Sequence, residues 1–123
     1  MEEALIKRVL PHSIEAEQAV IGAMLMDKEA ILTSSEIISG EDFYQSAYGI
    51  LFETIVELFN EGKPVDLITL QNRLREKDVP AEVSSLEFAR DLLSAVQTSA
   101  NVKYYAEIVS EKAMLRRLIK LNE

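Results

Sequence analysis

The sequence predicts an all-α domain, a compact bundle of about six helices with a long helix last. Three observations carry this. Apolar residues recur at three- and four-residue spacing along most of the 123 residues. Ser, Asp, Gly and Pro mark helix starts and stops at short intervals. Strand signals are few beside them.

Bulk composition narrows the function classes. The length suits one domain, able to bury roughly two-thirds of its unfolded surface. Apolar residues make up 48%, too many for a disordered tail. No apolar run approaches the ~18 residues of a membrane span, so no membrane role is expected. "MEEALIKRVL" does not read as a signal peptide. With no Cys and one His, thiolate zinc sites and multi-His metal sites are excluded. A cytoplasmic setting is expected. Residues 1–100 hold 8 basic and 18 acidic side chains, a net of −10, whereas residues 101–123 hold 5 and 3, a net of +2. An acidic body points to protein partners, with little or no direct nucleic-acid binding.

The elements follow in order. Pro11 and Ser13 precede "IEAEQAVIGAMLM", with Ser13 as N-cap and Glu15 and Glu17 suiting the positive helix end. Ile14, Ile21 and Leu25 fall near one face, and Ala16, Ala19, Gly22 and Ala23 form a small-residue seam beside it. Gly22 costs about 1 kcal/mol against Ala, which a close helix–helix approach would offset. Asp27 caps "KEAILTSSEII". "SGEDFYQS" is a connection with Phe43 turned inward. "AYGILFETIVELFNE" starts at Ser46 and buries Leu51, Ile55, Leu58 and Phe59, with Ile50 and Phe52 alongside. Gly62, followed by Lys63 and Pro64, stops it. Asp66 or Thr69 caps the next helix, where Leu67, Leu70 and Leu74 share a face, and Val79-Pro80 breaks it. Ser84 and Glu87 read as a capping box, with Val83 and Phe88 as its hydrophobic staple. Phe88, Leu92 and Val96, beside Ala89 and Leu93, form the inward stripe of that helix. Thr98, Ser99 or Asn101 can cap the final helix.

Catalytic chemistry is hard to find. A phosphate-cradling loop needs G-x-x-x-x-G-K-[ST]. The nearest match, "ELFNEGKPV", has Glu57 in place of the first Gly and Pro64 in place of the hydroxyl. Glu15 and Glu17 diverge on a helix, Glu41 and Asp42 read as a solvated loop pair, and His12 reads as a surface or capping residue. No catalytic, cofactor or metal residue is assigned.

Three blocks in order carry a resemblance over nearly the whole chain: "LPHSIEAEQAVIGAMLMD", "DFY" with "ILFETIVELFNEGKPVDLITLQNRL", and "TSANVKYYAEIVSEKAMLRRLI". Together they resemble the N-terminal domain of bacterial replicative DNA helicases of the DnaB family. The chain departs from that pattern at Tyr48, where the family usually has His, and at Ser84-Ser85, where it often has a Gly pair. The resemblance implies a non-catalytic collar in DNA replication. Such a domain pairs with other copies of itself, forms three dimers on a hexameric ring and docks primase. ATP and Mg belong to a separate C-terminal domain that this chain lacks. It also implies a globular helical subdomain, residues 1–100, and the first arm of a helical hairpin, residues 101–123, whose second arm falls beyond Glu123.

The final helix carries two apolar stripes. Val102, Tyr105, Ala106 and Val109 can dock on the body. Ile108, Leu115 and Ile119, with Leu118 alongside, are left for another surface, edged by the basic row Lys112, Arg116 and Lys120. These seven residues are the candidate interface. The basic row also suits a helix C-terminus, and an acidic protein surface or phosphate could meet it. Three other readings stand beside this one. A stand-alone helical adaptor would have no phosphate loop in the continuing gene. The related helicase-binding domain of primase would not place "PHSIEAEQAVIGAM" near a protein start. A small catalytic domain would need a convergent polar pocket.

Overall fold

A computed structural model describes residues 10–94 and 98–121. Six α-helices, one short 3-10 turn and no strand lie among the described residues. Helix α1, Ile14–Met26, starts where the Ser13 hydroxyl accepts the Ala16 amide at 3.2 Å. Val20, Ile21, Ala23 and Met24 are fully buried, and Gly22 is buried with them. Helix α1 packs against the next helix and against three more distant in sequence, so it is the central helix of the bundle.

Asp27 ends α1 and begins α2, Lys28–Ser35. Its amide donates to the Ala23 carbonyl and its carboxylate accepts the Glu29 amide, each at 3.0 Å. Helix α2 stops three residues short of the predicted "SEII" end. The Ile37 and Ile38 amides both turn back to the Ser34 carbonyl at 2.9 Å, which swings Ile38 into the core. The Gly40–Asp42 turn follows, and Phe43 packs inward against Phe52 with ring centroids 5.3 Å apart.

Helix α3, Ser46–Asn60, buries Leu51, Phe52, Ile55 and Leu58, while Ile50 and Phe59 are only partly covered. It crosses hard against the 3-10 turn: a Cβ on Gly49 would lie 2.5 Å from the Gly40 carbonyl oxygen. Gly62, at φ +75°, closes the helix. The Lys63 amide reaches the Leu58 carbonyl and the Gly62 amide the Phe59 carbonyl, both at 3.0 Å, which satisfies two orphan carbonyls.

In α4, Leu67–Glu76, Asp66 and Thr69 cap each other reciprocally at 2.9 and 3.0 Å. Leu70 and Leu74 are buried. Across α3 and α4, Arg73 bonds Glu57 and Glu61, and Lys77 bonds Glu57 at 2.8 Å and the buried Thr54 hydroxyl at 3.1 Å.

Helix α5, Leu86–Ser94, corrects the predicted capping box. Its cap is Ser85, whose hydroxyl accepts the Glu87 and Phe88 amides at 3.1 and 3.2 Å, while the Ser84 hydroxyl donates to Ala81. The helix starts one residue later than the box requires, because Ser84 belongs to the preceding turn. Ala89 and Leu92 point inward; Val96 lies outside the described residues. Helix α6, Val102–Leu121, docks through Val102, Ala106, Val109 and Ala113 onto α1 and α2.

Candidate interaction surface on the final helix

The last two turns of α6 run past the apolar face that holds the helix down. At 3.6 residues per turn, Leu115, Leu118 and Ile119 stand on the side away from Ala106 and Ala113. Met114, Leu115, Leu118, Ile119 and Leu121 are 57%, 40%, 50%, 39% and 80% exposed. The same outer side of the first half carries Lys103, Tyr104, Glu107 and Glu111, all exposed. The helix therefore changes from a charged to an apolar outer face along its length.

The other predicted interface residues occupy different surroundings. Ile108 is partly buried and packs against the core. Lys112 is half-buried at the edge, and Lys120 is exposed. Arg116 does not stand in an outward basic row. Its guanidinium donates to the carbonyls of Pro11 at 2.9 Å and Asp42 at 2.7 Å and lies 5.7 Å from the Tyr44 ring centroid. Its neighbour Arg117 pairs with the Asp42 carboxylate.

Asp42 is not the solvated loop residue that its sequence context predicts. It is 9% exposed and also accepts the Ser39 amide at 2.9 Å. His12 stacks on Tyr44, with centroids 4.0 Å apart, and its Nδ1 lies 2.7 Å from the Leu10 carbonyl oxygen.

Sequence reasoning missed Glu17. It is 1% exposed, and its carboxylate accepts the amides of Tyr44 at 2.7 Å and Gln45 at 3.1 Å. Burial pushes its carboxyl above the ordinary range, against the pull of those two amides, Arg116 and His12. The available signal was its position: Glu17 lies three, four and seven residues before Val20, Ile21 and Met24, on the apolar side of α1. Tyr48, where the resemblance expects His, is a core residue whose hydroxyl accepts from Gln18 at 2.9 Å and whose ring stacks near Phe88.

No group of three His, Cys, Asp or Glu among the described residues could hold a metal ion. No described helix is long and apolar enough to cross a membrane. The surface offers contacts, in an all-helical frame.

The model of the DnaB-like helicase N-terminal domain matches residues 9–111. The chain belongs to that family. It is 43% identical to the replicative DNA helicase DnaB of Geobacillus stearothermophilus over 98% of its own length. It is 39% identical to the replicative DNA helicase DnaC of Bacillus subtilis over the same share. The chain spans 26% of the length of either relative. Among solved structures, the N-terminal domain of DnaB helicase from Mycobacterium tuberculosis superposes with a TM-score of 0.88 at 36% identity, covering 93% of this chain and 83% of that one. The corresponding domain from Helicobacter pylori, described with its interactions with primase, shares the fold at a TM-score of 0.74 and 21% identity, covering 88% and 84%. The all-helical reading and the resemblance to the N-terminal domain of replicative helicases are thus both shown. The departures at Tyr48 and Ser84-Ser85 leave the DnaB-type fold intact.

Proposed function

We propose that this chain is the non-catalytic collar domain of a hexameric replicative DNA helicase. It pairs with a second copy through the outer face of α6, as one of three dimers on the ring, and presents a docking surface to primase. It acts in the cytoplasm, and the ATP and Mg chemistry belongs to a separate C-terminal domain. In this reading residues 1–100 are the globular subdomain and residues 101–123 the first arm of a hairpin.

The observation that carries the pairing is the apolar outer face of the last two turns. Covering what remains exposed of Leu115 and Ile119 would gain roughly 1 kcal/mol each, and the more exposed Met114 and Leu121 about the same or more. A domain stabilised by only about 5–15 kcal/mol does not leave Met114, Leu115, Ile119 and Leu121 this exposed without a tendency to associate. A two-fold pairing of identical helices brings each stripe against its own copy. Primase docking is supported by family membership and by the shared fold of the Helicobacter pylori domain. Sedimentation of the wild type and of a Leu115→Glu/Ile119→Glu double variant tests the pairing. The reading requires a wild-type dimer and a folded monomeric variant, and a wild type that stays monomeric at high concentration refutes it.

A further inference from the structure

At the crossing of α3 and the 3-10 turn, an open groove of about 490 Å3 reaches the segment that follows α4. Phe43, Ile50 and Val79 give it apolar walls, the last two only partly covered by the core. Gly40 and Gly49 belong to the lining, where the two backbones meet too closely for a side chain at Gly49. Glu53 lies over Gly40. Its side chain is exposed, and its carboxylate accepts the Gly40 amide at 2.7 Å.

Charge decides the kind of occupant. Lys77 also lines the groove, but its ammonium group is bonded to Glu57 at 2.8 Å and to Thr54 at 3.1 Å. Arg73 pairs with Glu57, Glu61 and Glu76, and Lys63 pairs with Glu61. Three cations thus face three carboxylates, and that network is balanced within itself. Glu53 stands outside it, and no cation pairs with it among the described residues. Glu41 lines the groove too, but it also lines the cavity that holds Arg117 and Lys120, so the surplus rests on Glu53. Residues 1–100 carry 8 basic and 18 acidic side chains, a field that draws in cations and repels polyanions.

We propose that this groove docks a basic segment of a protein partner, one that presents an apolar side chain next to a lysine or arginine. The apolar side chain would cover Phe43, Ile50 and Val79. The cation would meet the Glu53 carboxylate, which the Gly40 amide already holds in place. The groove shares no residue with the outer face of α6, so the inference stands apart from the pairing.

The test is an NMR titration of the isotope-labelled chain with the peptide N-acetyl-Leu-Lys-Leu-Lys-amide. Saturable shifts are expected at the Gly40, Gly49 and Val79 amides. Glu53→Gln keeps an oxygen for the Gly40 amide and should weaken the peptide about threefold. Glu29→Gln, at an exposed carboxylate on α2, should leave the affinity unchanged. A peptide with Ser in place of Leu should bind about fivefold more weakly. Equal binding of the matched peptide with Gln in place of Lys would overturn the proposal. So would equal weakening by Glu53→Gln and Glu29→Gln, the mark of diffuse attraction to an acidic surface. Shifts at the same amides on concentrating the chain alone would give the groove to a second copy and likewise defeat it.

Discussion

The carboxylate of Glu17, on the central helix, holds the backbone amide of Tyr44 at 2.7 Å across 27 positions of sequence, and that of Gln45 beside it. One buried side chain thereby fixes the path of the chain between the 3-10 turn and α3. Glu17→Ala would strip two partly buried N–H groups of their acceptor, at about 1–3 kcal/mol each. A loss of about 2–4 kcal/mol in urea unfolding is expected, with Glu17→Gln less damaging because one acceptor oxygen remains. A loss under about 0.5 kcal/mol for the Ala variant would mean that water replaces the carboxylate without penalty.

Acid sensitivity divides between two sites with opposite signs. Bonds from Arg73 and Lys63 hold the Glu61 carboxyl down to about 2, and Lys77, then Arg73, lower that of Glu57. Both ordinarily titrate near 4.5. Their contribution is complete above that value and drains away as pH falls towards about 2, since the unfolded chain then binds more protons. Glu17, raised by burial, contributes most below 4.5 and loses that contribution as pH climbs through its elevated value. Stability measured against pH should lose part of its acid slope below 4.5 in Glu61→Gln. In Glu17→Gln it should lose the opposing slope just above 4.5. Unchanged slopes in both variants would contradict this assignment.

Two glycines should fail differently. Gly49→Ala sets a methyl against the Gly40 carbonyl oxygen, so backbone must move, at about 2 kcal/mol. Gly62→Ala meets open space and suffers only from its positive φ, at about 1 kcal/mol. Gly62→Asn should recover part of that loss. Thermal unfolding of the three variants measures the order; Gly62→Ala worse than Gly49→Ala would reverse the argument.

The double variant Leu115→Glu/Ile119→Glu should keep its far-UV circular dichroism while sedimenting as a monomer, because both side chains lie on the exposed side of α6. An unfolded variant would instead place the stripe among the contacts of a single chain.

ATP binding and hydrolysis should be absent from the pure chain. At the one near-match to a phosphate loop, Glu57 is taken up by Lys77 and Arg73, and Gly62 serves as a helix cap. Affinity for single-stranded DNA at physiological salt should likewise be weak. Turnover that persists through rigorous purification, or submicromolar DNA binding that falls steeply with salt, would defeat these expectations.

The helices were legible because each is announced locally. Ser13, Asp27, Asp66 and Gly62 act within a turn of where they stand, and periodicity supplies the inward faces. The box at Ser84 missed by one residue, since adjacent serines compete for the same role and only the preceding turn decides between them. The links from Arg116 and Arg117 to Asp42 span more than 70 positions, and nothing local announces a partner at that distance. That is why a basic row read as outward-facing is partly folded into the body, whereas Leu115 and Ile119 are exposed.

Those two guanidinium links act as a brace. They grip α6 about three-quarters of the way along, beyond its last buried residue Ala113, and tie it to the 3-10 turn that α3 already clamps at Gly49. A helix anchored only at its base would pivot, and its free end would sweep a wide arc. Braced here, the end has little lateral play, so any torque applied to its tip is delivered to the whole globular body as a rotation and is not absorbed by bending.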